Sequence, residues 1–230
     1  MADGQQPVAI TEHHLTVSRT ARYSVLGGRD GAVNELWMVC HGYGQRAVRF
    51  IRHFEPIATE HRRIVAPEAL SRFYLDIPRP GGHVDSRVGA SWMTREERDA
   101  EISDYIEYLN ALWQRLEETL TPGCELTVFG FSQGTATAAR WAVLGAARAS
   151  RLILWAGGVP RDLLASGMPD KLHNLELTLV AGREDHYTPE DAIEREMTSL
   201  AEANLAPRFI RYDGGHGMHP ATLQQLAASS

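Results

Sequence analysis

The chain has 230 residues, 43% of them hydrophobic and 8% aromatic, which is enough apolar material to fill a core and excludes disorder as the main state. Lys and Arg number 23 against 29 Asp and Glu, a formal charge of −6; this repels phosphate backbones and anionic bilayers, so no nucleic-acid partner is expected. The two cysteines, Cys40 and Cys124, lie in or beside apolar runs and read as small buried hydrophobes in a reducing compartment, not as a disulfide framework or a CxxC metal site.

The first residues show no basic stretch leading into an apolar one, no window approaches 18 apolar residues, and no repeat of 20 to 50 residues is present. The expectation is a single domain over 1–230, cytoplasmic and without a membrane span. Taken in order, His14 to Ser18 and Arg22 to Leu26 alternate polar and apolar residues, which predicts an antiparallel lead-in to a sheet. Leu36 to Cys40 follows as an apolar run, then a helix carried by Phe50, Ile51, Phe54 and Ile57, then a second run at Arg63 to Ala66. Pro67 to Met93 holds Pro78, Pro80, Gly81, Gly82 and Gly89 together with Phe73, Tyr74 and Trp92; it reads as a long loop (67–93) that helps to shape a pocket.

Ile102, Tyr105, Ile106, Leu109, Leu112, Trp113, Leu116 and Leu120 recur at helical spacing, with Thr94 and Glu97 as a capping box. Leu126 to Phe129, Leu152 to Trp155 and Leu177 to Val180 are unbroken apolar runs, as in strands covered on both faces. Helices are predicted over Ala136 to Ala147, Pro189 to Ala203, and Pro220 to Ala227, where Pro220 suits a first turn. Arg208 to Tyr212 alternates more and belongs near an edge. Strands alternating with helices make the fold class α/β, a mostly parallel central sheet with helices on both faces.

Gly130-Phe131-Ser132-Gln133-Gly134 directly follows one of these strands and directly precedes a helix, the context in which G-x-S-x-G exposes a serine hydroxyl on a sharp turn. A neutral hydroxyl is a weak nucleophile and needs a base, itself oriented by a carboxylate. With chain order serine, acid, histidine, the histidines left are His173, His186, His216 and His219. His216, between glycines past the last strand, is preferred to His219, which adjoins Pro220. Asp185, on the loop after Leu177 to Val180, is preferred to Glu184, and Asp213 ranks last. Backbone donors for an oxyanion are expected from the amides of Gln133 and Tyr43, the latter in His41-Gly42-Tyr43-Gly44; His41 is expected to brace that turn. Tyr74, Trp92 and Met93, with Trp37, are candidates for an apolar substrate pocket. A metal reading of Asp185-His186 or His216-x-x-His219 leaves the serine turn unexplained, so neither metal nor cofactor is expected.

These motifs resemble the phospholipase/carboxylesterase group of α/β-hydrolases, which includes bacterial esterases and acyl-protein thioesterases. The resemblance runs over most of the chain, through His41 to Gly44, Gly130 to Gly134, Gly182 to Pro189 and Gly215-His216. Separations of 53 residues from Ser132 to Asp185 and 31 from Asp185 to His216 are similar to those of compact members, and Arg87 to Glu96 resembles a subgroup of bacterial predicted esterases. Thr135 and Gly217 depart from it, where many members carry a glycine and an acidic residue. The resemblance implies an α/β-hydrolase fold and a serine esterase acting on a small-molecule ester; the alternatives are acyl-thioesterase or lysophospholipase activity and, ranked below it, a non-catalytic binding protein on a hydrolase scaffold, and a homodimer stays open.

Overall fold

A computed structural model of the chain describes residues 9–76, 82–83, 85–165 and 169–229. The apolar runs become β2 (Glu35–Cys40), β3 (Arg62–Pro67), β6 (Glu125–Phe131), β7 (Arg151–Trp155), β8 (Glu176–Gly182) and β9 (Arg208–Tyr212), with β1 (Tyr23–Gly27) ahead of them. Together they form a seven-stranded sheet in the order β1-β3-β2-β6-β7-β8-β9. All pairings are parallel except that of β1 with β3.

Period-two alternation explains why these runs lack polar positions. Leu36, Met38 and Cys40 enter a core on one sheet face with Val128, Leu152 and Leu179. Trp37 and Val39 enter a second core on the other face with Ile64, Phe129, Ile153 and Trp155. The inner strands β2, β3, β6, β7 and β8 are largely apolar because both their faces are roofed, whereas β1 and β9 at the edges are part exposed. The first face is covered by α2 (Arg98–Glu117) and α3 (Gln133–Leu144), joined by Leu200 of α6 (Glu190–Glu202). The second is covered by α1 (Ala47–Phe50), its 3-10 continuation Ile51–Ile57, and α7 (Pro220–Ala228). Two short helices that apolar periodicity does not reveal, α4 (Arg161–Ala165) and α5 (Pro169–His173), lie between β7 and β8.

Three expectations are corrected. His14 to Ser18 is exposed and forms no strand; the antiparallel lead-in is β1 alone, because β1 occupies the edge beside β3. Thr94 and Glu97 form no capping box: Glu97 stands at φ 49° in the left-handed region with no side-chain cap bond, and Thr94 instead gives its N–H to Glu101. The segment 67–93 is not all loop. Within it β4 (Ser71–Tyr74) and β5 (Val88–Ser91) form an antiparallel hairpin, whose connecting Pro78, Pro80 and Gly81 lie outside the described residues. Cys40 is buried as expected, whereas Cys124 is only half-buried.

Candidate active site

β3 lies on one side of β2 and β6 on the other, so the order of strands reverses at the β2/β6 pair, where α/β sheets open a crevice beyond the carboxyl ends of the strands. The loop after β2 and the turn after β6 stand at this crevice. At the latter, Ser132 adopts φ 53°, ψ −119° between β6 and α3, a strained conformation that non-glycine residues keep only where surroundings enforce it. The enforcement is visible: the Ser132 N–H donates to the Trp155 carbonyl at 2.9 Å, and the Ser132 carbonyl accepts from the Thr135 hydroxyl at 2.7 Å. A Cβ at Gly134 would sit 2.3 Å from the Cys40 carbonyl oxygen, so only glycine lets the turn pack this closely on β2.

The turn aims the Ser132 hydroxyl at His216, whose Nε2 is 3.0 Å from Oγ. His216 Nδ1 lies 2.8 Å from Asp185 Oδ2. An ionised carboxylate only accepts, so Nδ1 carries the ring proton and Nε2 is free to accept from the serine. The Asp185 side chain is fully buried. Burial pushes its carboxyl up, but the hydrogen bonds from His216 and from the Tyr187 N–H prevail and leave it below the usual carboxylate range. Asp185 is therefore ionised at neutral pH and holds the imidazole in one tautomer.

The donors flanking the serine are equally specific. In the loop after β2, the Gly42 N–H is taken by Gln45 Oε1 at 2.8 Å and the Gly44 N–H by the Ala90 carbonyl at 2.8 Å. Among the described residues the intervening Tyr43 N–H has no acceptor, and neither has the Gln133 N–H at the first turn of α3. A Cβ at Gly42 would lie 3.2 Å from the Ser132 Cβ, which puts this loop against the serine. His41 braces it as expected: fully buried, it accepts from the Ala69 N–H at 3.1 Å and donates from Nδ1 to the Gly42 carbonyl at 2.8 Å. Burial holds its pKa below the ordinary histidine value, in keeping with a neutral ring that accepts at Nε2.

The rejected alternatives lie elsewhere. Asp213 is exposed and paired with Arg183; Glu184 is exposed; His219 caps α7 through Thr222 and stacks on Tyr212. The predicted pocket residues fare less well. Trp37 and Trp92 are core side chains, and the Trp92 indole N–H is spent on the His41 carbonyl at 2.8 Å. Tyr74 sits on the exposed side of β4, against His83; strand alternation turns Phe73 the other way, onto Tyr43 at 5.2 Å between centroids. Met93 is half-buried, and its carbonyl holds the Gln133 side-chain amide at 2.8 Å.

Sequence reading misses the residues that fasten the His216 loop. The Tyr212 hydroxyl is 2.8 Å from the Gly215 carbonyl oxygen and 2.6 Å from that of Gly217, and the Trp155 indole N–H donates to Gly217 at 2.9 Å. Both aromatics end strands and look like ordinary core in sequence. Tyr187, whose ring lies 4.7 Å from His216, is missed too, although Asp185-His186-Tyr187 carries the signal of a side-chain-to-backbone turn.

The profile of the phospholipase/carboxylesterase family matches residues 24–229. The chain belongs to that family. Its fold is that of the α/β-hydrolases, and the hydrolase resembles solved structures along nearly their whole length. Acyl-protein thioesterase 2 from Zea mays is 19% identical over 91% of this chain and 97% of that one, with a TM-score of 0.67. Esterase PE8 is 20% identical over 92% and 98%, TM-score 0.63. A phospholipase/carboxylesterase from Dyadobacter fermentans is 16% identical over 93% and 98%, TM-score 0.59. No protein of curated function matches it at a significant level. Family membership makes the hydrolase an esterase or thioesterase in the broad sense, and among its described residues no helix is long and apolar enough to cross a membrane.

Proposed function

We propose that the protein is a serine esterase that cleaves small carboxylic esters with short acyl groups through an acyl-enzyme. The observation that carries this reading is the unbroken chain of contacts from Ser132 through His216 to Asp185, at 3.0 and 2.8 Å. Ser132 Oγ attacks the acyl carbonyl while His216 Nε2 takes its proton, and Asp185 stabilises the imidazolium so formed. The tetrahedral oxyanion is received by the N–H groups of Tyr43 and Gln133; one such donor is typically worth about 3 kcal/mol of barrier. His216 returns the proton to the departing alcohol, leaving Ser132 acylated. A water, deprotonated by the same imidazole, then releases the acid.

The preference for small acyl groups is supported by the small cavity next to Tyr187 and His216. A cavity of about 240 Å³, walled by Leu179, Ile193 and Phe209 together with Thr188 and Glu196, has Tyr187 at its margin, and the Tyr187 ring lies 4.7 Å from that of His216. That volume falls below the roughly 300–1,000 Å³ of sites for drug-sized ligands. The experiment is hydrolysis of p-nitrophenyl acetate, butyrate and octanoate and of an acetyl thioester, with Ser132→Ala as control. Expected are turnover that declines with acyl length, its loss in Ser132→Ala, and labelling of the parent enzyme alone by a fluorophosphonate. Turnover retained in Ser132→Ala would refute the assignment.

A further inference from the structure

A larger cleft begins at the oxyanion loop and shares no lining residue with the first cavity, and the reaction just described makes no use of it. It measures about 540 Å³ and begins at Gly44, the residue after Tyr43; Arg46, Arg49 and His53 line one wall, Asp85 and Arg87 the other. In a protein of formal charge −6, three guanidinium groups meet here against one lining carboxylate.

Their existing partners leave much of the donor capacity unspent. Arg87 gives Nε and one terminal nitrogen to Asp76 at 3.1 and 2.9 Å. The buried Arg46 Nε faces the buried Glu68 Oε2 at 3.8 Å, while Arg22 holds only Oε1; among the described residues the terminal nitrogens of Arg46 have no carboxylate partner. Arg49 meets no acidic side chain among the described residues. A guanidinium offers five N–H donors in a planar fork that suits carboxylate and phosphate oxygens. The walls are also held in register: the hairpin wall is tied to the loop by the Gly44 N–H to the Ala90 carbonyl, and Leu75 is bonded to Arg87 through the backbone.

We propose that this cleft is a subsite for an anionic group, carboxylate or phosphate, on the alcohol side of the ester, with Arg46 and Arg49 as its principal donors. With the acyl group assigned to the cavity that Tyr187 borders, the leaving group is assigned to the cleft that begins at Gly44, where the arginines lie. The proposal rests on the serine-esterase reading above and names the class of alcohol that the esterase accepts.

The test compares 4-acetoxybenzoate with its neutral counterpart methyl 4-acetoxybenzoate, and 4-acetoxyphenyl phosphate as the phosphate arm, in the parent enzyme, Arg46→Gln, Arg49→Gln and Ser132→Ala. One charged hydrogen bond corresponds to about a tenfold change. The expected result is that each arginine variant lowers kcat/KM for at least one of the anionic esters by about tenfold more than for the methyl ester, through KM, and that raised salt narrows the difference. The carboxylate and phosphate arms tell which anion the site takes. Parallel losses on charged and neutral esters, no loss on either, or a parent enzyme that hydrolyses only the neutral ester would each overturn the subsite. If the parent enzyme hydrolyses none of the three, or Ser132→Ala remains active, it is the serine-esterase reading that fails, and the subsite with it.

Discussion

Asp185 illustrates how one carboxylate is singled out from neighbours of the same chemistry. Glu184 and Asp185 are adjacent, yet a single step along the loop turns one side chain to solvent and the other fully inward. The inward one is held by the Tyr187 N–H at 2.8 Å while it receives the imidazole N–H, so it can neither rotate nor be replaced from solvent. Asp185→Asn keeps the shape but presents a side-chain amide that can donate to Nδ1 and favour the wrong tautomer. Its kcat should fall on the order of 10⁴-fold, whereas Glu184→Gln should change kcat less than about threefold, since the residue it replaces is exposed. Steady-state kinetics on p-nitrophenyl acetate checks both; if the Glu184 change were the damaging one, the acid has been assigned to the wrong side chain.

At the scale of elements, the site is assembled from the ends of four strands. Ser132 follows β6, the oxyanion loop follows β2, Asp185 follows β8 and His216 follows β9. β2 and β6 are neighbours, as are β8 and β9, but β9 is three strands from β6, and its loop must reach back across β7 and β8. The Tyr212 hydroxyl and the Trp155 indole hold the loop in that reach through the Gly215 and Gly217 carbonyls. Tyr212 thus acts as a positioning residue for His216. Tyr212→Phe keeps the ring and the packing and removes the one O–H donor that the two carbonyls share, worth about 1 kcal/mol. It should lower kcat about fivefold with little change in KM and a thermal midpoint lowered by only about 2–4 °C. A rise in KM at constant kcat would instead assign Tyr212 to substrate binding.

Over the whole molecule, the dependence of stability on pH follows from groups scattered through the fold, His41 and Asp185 buried, His53 and Asp162 at the surface. Burial lowers the pKa of His41 and of His53, so the unfolded chain takes up protons that the folded one refuses. The stability they contribute is complete above the ordinary histidine value of about 6.5 and declines as pH falls below it. Asp185 is depressed as described, and Asp162 is held low chiefly by its hydrogen bond to Arg140, which outweighs burial. Their contribution is present above the ordinary carboxylate value of about 3.9 and is lost as pH falls through the lower folded values. Urea midpoints measured from pH 8 to pH 3 should therefore decline in two stages, one beginning near pH 6.5 and a steeper one below about pH 4. A midpoint unchanged from pH 7 to pH 5 would show that these two histidines are not linked to folding in this way.

Much of this was legible in the order of residues. The strands follow from unbroken apolar runs, and the Ser132 turn from the coincidence of strand, G-x-S-x-G and helix. His216 and Asp185 follow from chain order and from lying on loops past a strand, because these depend on local propensity and on the direction of the chain through a parallel sheet. The hairpin within 67–93 was hidden because Pro, Gly and aromatic residues mask its short strands, and its position over Gly44 arises from contacts between distant segments. The same cause misdirected the pocket. Whether Trp92 lines a cavity or fills a core, whether Phe73 or Tyr74 turns toward Tyr43, and which arginines gather at one cleft are set by strand parity and by what packs opposite. Composition and local periodicity specify which elements form; the identity of the neighbours across the crevice depends on how those elements meet in space, since a side chain's surroundings are supplied by residues far from it along the chain.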